Sequence, residues 1–477
     1  MRVLAASLRG WQAAEPAGSV PLGAAGPHAA GARGEAAAWL AGSMAASPAG
    51  MESTKQNRAL LVQPSSGTST HKETVVQMLP QQSPGEGEVL VQVQAAALTP
   101  TDTLLCTESA SPLTELISVS HRPFVPGFFF CGKVLALGPF VEGLAVGEAV
   151  LGALDGSSLC HGAPVDSNGQ RGSAQTHAGG CYRECACVHY SELLPAADLL
   201  AAGCHLPSVV AHLPPMIDAL FCVAANLRLR ATEALLIIAP RVADVIFLLQ
   251  RLLFICDAWA GPLYLILLHG SVVSRTDLER HPLLRPLVSD QARHTFLESF
   301  SCFSVEEQAQ KRFGTAAQPS QLVETLQDVV GQIVNGTRGI GVDVILAFDI
   351  DLAPPVSPPP AELYALPTTG GTGDPLSEPM PTRPPTLLRT LISALALRGR
   401  LITNCGHVEV MPADGEHLWI KEGSVSFMNT HCLLLSSARR GALLHAAVEV
   451  TGCIACSDLP VAESQVVQYK LFEQFQD

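Results

Sequence analysis

The sequence predicts an α/β protein in two parts, a β-rich N-terminal part and a doubly wound parallel sheet. Glycine and proline punctuate short alternating segments up to residue 205, as they do in antiparallel sheets. From residue 206 onward, unbroken apolar runs alternate with helical patterns, which is typical of βαβ units. A chain of 477 residues is also long enough for two or three domains with a sizeable core.

The β-rich part is predicted to span residues 51–205. It follows an Ala/Gly-rich leader at residues 1–50 that we expect to be disordered, although its arginines also fit a transit peptide. Residues 88–95 alternate apolar and polar side chains with period two, the pattern of a half-buried strand. Further strands of this part are expected at residues 58–62, 132–138, 148–152 and 179–190.

The parallel sheet is predicted over residues 206–452. Two stretches interrupt it as inserts, a polar one at 272–304 and one at 352–385 that is rich in Pro, Thr and Gly and is expected to be disordered. Residues 453–477 return to the N-terminal domain, which they complete in shortened form. The strands of the sheet are expected at Leu235–Ile238, Leu263–Leu268, Gly341–Ala347 and Gly399–Gly406.

The turn after the first strand of this sheet contains no glycine. It reads Ala-Pro-Arg-Val-Ala-Asp over residues 239–244, and the chain has no glycine at all between Gly203 and Gly261. A dinucleotide-binding turn uses glycines to bring its backbone close to a pyrophosphate, whose charge rests on the helix N-terminus. Here Pro240 lacks an N–H group, and Asp244 adds a negative charge where a phosphate would lie. The sequence therefore predicts a nucleotide-binding scaffold whose phosphate cradle is lost.

Composition excludes several classes of function. The net charge is −14, and no Lys/Arg cluster with interleaved aromatics occurs, which argues against direct nucleic-acid binding. The 14 scattered cysteines are expected to be reduced thiols of an intracellular protein. We expect no transmembrane segment, because the most apolar run, Val242–Cys256, holds Asp244, Gln250 and Arg251 and reads as a buried helix.

The order of these segments resembles the medium-chain dehydrogenase/reductase superfamily. Residues 86–102 are similar to a strand and loop of its N-terminal domain, and residues 123–132 and 146–152 are similar to the strands that follow. Residues 336–346 resemble the segment that approaches the nicotinamide. The resemblance implies a GroES-like β-rich domain followed by a Rossmann domain, in which the cofactor carries the hydride chemistry.

Within the superfamily, the chain most resembles the zinc-independent quinone oxidoreductase, or zeta-crystallin-like, branch. His407 and Glu409, the region of Trp419, and residues 421–429 carry this likeness. The branch implies NADPH as the cofactor, although the glycine-free turn leads us to expect weak binding or none.

The sequence departs from the zinc-dependent relatives at the metal ligands. Those proteins place a cysteine shortly before the aspartate that matches Asp102, where this chain has Thr99–Thr101. They also carry Gly-His-Glu where this chain has Phe128–Phe130 after Gly127. A catalytic zinc needs three protein ligands and an open position, so we expect no zinc.

The resemblance also assigns candidate cofactor-binding residues. Thr99 and Asp102 would face the nicotinamide ribose; the alternative is a loop aspartate that holds backbone N–H groups. Arg241 could offer a charge to a phosphate, or be a solvated turn residue. Ser271 and Arg275 follow the second strand, where related proteins bind the 2′-phosphate of NADP. The alternative is that both are ordinary surface residues. No catalytic residue is assigned.

Two groups of cysteines leave alternatives open. The most metal-like spacing belongs to Cys181, Cys185, Cys187 and His189. Positions along one face of a strand suit a tetrahedral ion poorly, so we favour apolar packing of these thiols. Cys453 and Cys456 have the spacing of a redox pair, but they lack the strand-to-helix context that activates a thiol.

Two functional hypotheses follow. In the first, the chain is a catalytically lapsed relative that acts as a subunit of an intracellular protein complex. The resemblance implies an endosome-associated multi-subunit assembly, with other protein subunits as partners and a cytoplasmic location, and a homodimer is a further alternative. In the second, the chain is an active NADPH-dependent quinone or enone reductase. The lost phosphate cradle favours the first hypothesis.

Overall fold

We describe the protein from a computed structural model. It describes the following residues: 55–64, 72–107, 123–154, 178–255, 259, 261–288, 299–314, 319–348, 387–405, 408, 410–429, 431–435 and 440–461. The predictions on the leader at 1–50, on the insert at 352–385, and on residues 462–477 lie outside this part of the chain.

The N-terminal part is a β domain with two sheets. One sheet has the strand order β2-β1-β4-β7 and the other β8-β3-β5-β6-β9. The strands are β1 Gln56–Pro64, β2 Lys72–Pro80, β3 Glu88–Ala97, β4 Phe124–Val125, β5 Phe129–Leu137, β6 Ala149–Ala153, β7 Ala178–Gly179, β8 Cys185–His189 and β9 Leu193–Pro195. Every pair in the second sheet is antiparallel, which agrees with the predicted β-rich domain.

The central strand β3 departs from the predicted period of two. The alternation holds from Gln92 onward, but Val89, Leu90 and Val91 are all buried. The register shift with β5 between Leu90 and Val91 leaves the extra residue, Leu135, on β5. Strand β3 itself pairs with β8 in unbroken register here, so Leu90 lies on the opposite face from Val89 and Val91. The continuous buried run therefore means that both faces of β3 are covered at this point.

The C-terminal part contains a six-stranded parallel sheet with the order β12-β11-β10-β13-β14-β15. The chain runs outward from the central strand to one edge, returns to the centre, and then runs to the other edge. This is the doubly wound arrangement that the sequence predicts. The strands are β10 Leu235–Ala239, β11 Leu263–Leu267, β12 Phe300–Ser304, β13 Val342–Ala347, β14 Leu395–Thr403 and β15 Ser424–Phe427.

Part of the predicted insert at 272–304 belongs to the sheet. Strand β12 forms one edge and pairs with β11 along its whole length. Most of its residues are only half-buried, so the sequence lacks the continuous apolar run that marks the inner strands. The insert therefore ends before Phe300.

Helices cover both faces of the parallel sheet. Helix α4 packs on one face in a core with Ile237 and Leu265, and helices α8 and α9 pack on the other face in a core with Leu236 and Ile345. The helices are α1 Pro100–Thr107, α2 Ala197–Ala201, α3 Leu206–Phe221, α4 Val242–Phe254, α5 Arg275–Arg280, α6 Arg285–Val288, α7 Val305–Phe313, α8 Pro319–Gly336, α9 Leu387–Ala394, α10 Pro412–Ile420, α11 His431–Leu435 and α12 Arg440–Ala455.

The apolar helix α3 lies at the junction between the two parts of the chain. With the π-helical turn Cys222–Leu227 that follows, it is long and apolar enough to span a membrane by composition, but 67% of its most apolar window is buried inside the protein. It packs against β3 and β5 of the β domain and against α4 and α12. These contacts are those of a core helix.

The C-terminal helix α12 is part of the core of the β domain. Leu443 and Val450 share one apolar cluster with Phe129 and Leu151. The chain therefore packs against the β domain from α12 onward. The sequence analysis predicted that this contact begins only at residue 453. The periodic pattern of α12 does not reveal which part of the protein it covers.

Candidate functional site

The candidate site lies at the carboxyl edge of the parallel sheet, in the turn from β10 to α4. Strand order reverses between β10 and β13, and doubly wound sheets bind ligands at such a switch point. In the turn, Ala239 is fully buried and Arg241 has φ −144° and ψ 160°. No residue from 239 to 244 has a positive φ. Arg241 is therefore extended, Val242 already begins α4, and the turn has none of the positive φ values that favour glycine.

The carboxylate of Asp244 occupies the N-terminus of α4. Its Oδ2 atom accepts the backbone N–H of Arg241 at 2.9 Å and lies 3.6 Å from Nε of the Arg241 side chain. A helix N-terminus carries a partial positive charge and favours an anion. In this chain, the anion at that place is supplied by the helix itself.

A second group of backbone donors is also bound by carboxylates of the chain. After β11, Glu306 accepts the backbone N–H of Gly270 at 2.8 Å, and Glu307 accepts that of Val272 at 3.1 Å. Both acids belong to the first turn of α7, which follows the edge strand β12. The amides of this loop thus have intramolecular partners. The sequence analysis did not identify Glu306 or Glu307.

The predicted 2′-phosphate residues lie in and after the same loop. Ser271 is exposed between the two amides that the glutamates bind. Arg275 begins α5, and its Nε donates to Glu279 at 2.7 Å. Arg241 comes to the same edge of the sheet, because the N–H of His269 bonds to the carbonyl of Pro240. The structure therefore brings these three predicted residues to one edge, with both arginines beside an acidic partner.

The other two predicted residues, Thr99 and Asp102, lie in the β domain. Asp102 is fully buried at the start of α1. Its Oδ2 atom accepts the backbone N–H and the hydroxyl of Thr99, at 2.9 and 2.7 Å, and Oδ1 accepts the N–H of Gly127 at 2.9 Å. The hydroxyl of Tyr182 lies 2.9 Å from Oδ2 of Asp102 and 2.9 Å from the carbonyl of Ala97. Asp102 thus holds loop backbone together, as in the alternative interpretation of this residue.

Burial dominates the electrostatics around Asp102. Desolvation raises the pKa of its carboxyl above the usual value, although hydrogen bonds from Thr99, Tyr182 and Gly127 act in the opposite direction. The pKa of Tyr182 is raised, first by burial and then by the negative charge of Asp102. Sequence reasoning missed Tyr182, because it lies 80 residues from Asp102 in the chain.

The cysteines resemble packing groups rather than nucleophiles. Burial raises the pKa of Cys131 to about 11 and that of Cys187 to about 12. Cys181 lies before β8, so it does not share a strand face with Cys187; the sequence analysis expected that it would. Cys181 is fully buried, and burial strongly raises its pKa. Burial raises the pKa of Cys453 to about 11. A thiol that is protonated at neutral pH is a weak nucleophile.

Residues 85–198 match the family of alcohol dehydrogenase GroES-like domains. Among solved structures, the chain is similar to human synaptic vesicle membrane protein VAT-1 homolog-like protein, with 13% identity over 85% of this chain and 88% of that one, and a TM-score of 0.46. An alcohol dehydrogenase superfamily protein from Novosphingobium aromaticivorans has 17% identity over 84% of this chain and 88% of its own, with a TM-score of 0.47. CurK enoyl reductase has 15% identity over 86% and 91%, with a TM-score of 0.49. No curated protein sequence matches the chain significantly.

Together, the domain match and the strand order define the class of protein. The chain combines a GroES-like domain with a Rossmann-type sheet of six parallel strands. This is the combination that the resemblance to medium-chain dehydrogenases and reductases predicts.

Asp102 yields a prediction about stability. Replacing Asp102 with Asn should lower the free energy of unfolding by about 2–4 kcal/mol, because an amide cannot accept from all the buried donors that now converge on the carboxylate. Urea denaturation measures this change. The matched control is Asp198→Asn in α2, an exposed residue whose loss should cost at most about 0.5 kcal/mol. Equal effects of the two substitutions would show that the buried network is unimportant.

The zinc prediction concerns the purified protein. Among the residues that the structure describes, no group of three or more His, Cys, Asp or Glu side chains is placed to hold a metal ion. We expect elemental analysis of chelator-washed protein to find no stoichiometric zinc. One zinc per chain would contradict this expectation.

Proposed function

We propose that the chain is a quinone oxidoreductase-like protein of NADPH-dependent reductase ancestry that has a degenerate cofactor site and acts as a non-catalytic subunit. The observation that carries this proposal is the carboxylate of Asp244, which is bound at the N-terminus of α4 behind a glycine-free turn. The zinc-independent branch is inferred from the sequence resemblance, which is greatest to quinone oxidoreductase-like protein 1.

The residues present do not fit the pyrophosphate of a nicotinamide dinucleotide. Two like charges 4 Å apart repel by about 1 kcal/mol in water and about 4 kcal/mol at the effective dielectric of a protein surface. The carboxylate of Asp244 would oppose a bound phosphate in this way, while Pro240 offers no N–H to it. We therefore derive no hydride-transfer step for this chain.

The alternative function is an active zinc-independent NADPH-dependent quinone or enone reductase. One observation favours it, the exposed guanidinium of Arg241 beside the turn, since a cation there can neutralise a phosphate. In that case the cofactor would supply the hydride, and the chain would orient it and exclude water. Arg241 already faces Asp244, which reduces the charge that it has to offer.

Titration with NADPH distinguishes the two functions. We expect isothermal titration of the full chain to show no binding in the low micromolar range, because the anion position at α4 is taken. A tight and saturable heat would overturn the non-catalytic proposal and support the reductase.

The proposed role as a subunit is supported by exposed apolar surface near the edge strand β15. Trp419 is 81% exposed, Ile420 59% and Phe427 57%. Large aromatic and aliphatic side chains that are exposed on a protein surface are often interface residues. Protein subunits are the partners we propose, within an intracellular, endosome-associated complex, with self-association through this edge as the further alternative. The net charge of −14 favours protein over nucleic acid as the partner.

Affinity purification from cells followed by mass spectrometry tests this role. We expect the chain to be recovered with a reproducible set of other subunits. A variant with Trp419→Ser and Phe427→Ser should lose them if the exposed surface is the contact, whereas Phe140→Ser, at a 77% exposed aromatic residue of the β domain, is the matched control. Recovery of the chain alone, together with robust quinone-dependent oxidation of NADPH in vitro, would contradict the proposal.

A further inference from the structure

A recess of about 490 Å³ lies between the end of the π-helical turn after α3 and the outer strands of the parallel sheet. Its polar wall is dominated by arginine. The lining residues are Ala225, Asn226, Arg228, Arg230, Arg400, Ser426 and Phe427. Ligand pockets in proteins commonly have volumes of roughly 300–1,000 Å³, so the recess is large enough for a small molecule.

The recess carries an excess of positive charge in an otherwise acidic protein. Arg400 forms a two-point ion pair with Glu233, with N–O distances of 3.0 and 2.7 Å. Its third donor, Nε, is shielded from solvent and has no hydrogen-bond partner among the described residues. Arg228 and Arg230 are both exposed, and the one acid beside them is the same Glu233, 3.8 Å from Nε of Arg230. Glu233 thus pairs with Arg400 and Arg230, and no ion pair of Arg228 is found in the described part of the chain. Three guanidinium groups and one carboxylate leave two positive charges in excess.

Capping of the helix end explains only part of this arrangement. Nε of Arg228 donates to the carbonyl of Ala225, and Nη2 of Arg400 donates to that of Leu227. Arginine is commonly found at helix C-termini for this reason. Within the described chain, however, the two Nη groups of Arg228 make no hydrogen bond, and Arg230 does not contribute to the cap.

The backbone of Arg228 is held in a strained conformation. Its φ of 44° and ψ of 49° lie in the left-handed region, which is unfavourable for a residue with a Cβ and favours glycine after a helix. Strained residues of this kind cluster at ligand sites. Here the strained position carries a guanidinium that lines the recess.

We propose that this recess binds the phosphate group of a small phosphorylated molecule. Guanidinium groups recognise phosphate by parallel N–H···O bonds, and a phosphate monoester carries about −1.5 to −2 charges at neutral pH, which matches the excess of two. The amide of Asn226 and the hydroxyl of Ser426 supply further donors. The exposed ring of Phe427 supplies an apolar wall for the rest of the molecule.

This site is separate from the cofactor turn and does not rest on the proposed function. Arg400 pairs with Val344, which pairs with Leu235, the first residue of β10. The cofactor turn follows Ala239, the last residue of that strand. At about 3.3 Å per residue, Arg400 is roughly 13 Å from the level of the turn along the strand direction. Ser426 and Phe427 lie level with Ile237 and Ile238, so the recess is separated from the turn mainly by its position on β14 and β15, two and three strands away from β10.

The test is isothermal titration of the full chain with phenyl phosphate at low ionic strength, with benzoate and inorganic phosphate as comparison probes. We expect one saturable site for phenyl phosphate with a dissociation constant between about 10 μM and 1 mM. Benzoate should bind at least about tenfold more weakly, because it carries a single charge. Inorganic phosphate should bind more weakly than its phenyl ester if Phe427 contacts the organic group. Equal affinity for inorganic phosphate and phenyl phosphate would show that Phe427 does not contact the ligand and that the arginines alone bind its phosphate group.

The double variant Arg228→Gln with Arg230→Gln should weaken phenyl phosphate binding at least about tenfold. Arg230→Gln alone, at an exposed side chain, should weaken it without disturbing the fold. The matched control is Arg58→Gln with Arg312→Gln, which removes the same charge from exposed ion pairs elsewhere and should leave binding unchanged. Absence of saturable binding, binding that survives the double variant, or equal weakening in the control would each overturn the proposal.

Discussion

The hydrogen bond between the backbone N–H of Arg241 and the carboxylate of Asp244 is the constraint on which the functional interpretation depends. It caps helix α4 at the centre of the parallel sheet, and a carboxylate in the first turn of a helix typically stabilises it by about 0.3–1 kcal/mol. The same position is the one at which related folds bind an external anion. One interaction therefore stabilises the scaffold and, in the function that we propose, opposes a cofactor.

The loop after β11 is bound in a similar way by its own acids. Glu306 and Glu307 accept amide N–H groups of that loop from the first turn of α7. Two neighbouring segments at the carboxyl edge thus satisfy their backbone donors internally. In the β domain, the buried carboxylate of Asp102 has a comparable structural role, since it joins Thr99, Gly127 and Tyr182. Asp102, the carboxylate that the family resemblance assigns to the cofactor, is engaged with the protein itself.

The sequence was sufficient to predict the inner strands of the parallel sheet and the character of the turn between β10 and α4. Inner strands such as β10 and β13 are buried on both faces, which produces unbroken apolar runs. The edge strands β12 and β15 are half-exposed and lack such runs, and the sequence analysis missed both. Asp244 was predicted to matter because it adds a negative charge to a turn that would otherwise receive a phosphate.

Long-range contacts limited prediction of the sites. Glu307 and Val272 are 35 residues apart, and Arg400 lies 173 residues from the carbonyl of Leu227 that it binds. No local pattern identifies such pairs before the sheet is assembled. The arginine-lined recess is a further example, because its residues come from a helix end and from two strands that meet only through the order of the sheet.

The most direct measurement is titration of NADPH against a variant that combines Pro240→Gly with Asp244→Ala, beside the parent chain. Asp277→Ala is the control, since Asp277 is a carboxylate of the same kind that caps α5. Removing the capping carboxylate and restoring a glycine frees the N-terminus of α4, so the variant should bind NADPH at least about tenfold more tightly than the parent and the control. A parent chain that binds NADPH as tightly as the variant would contradict the account.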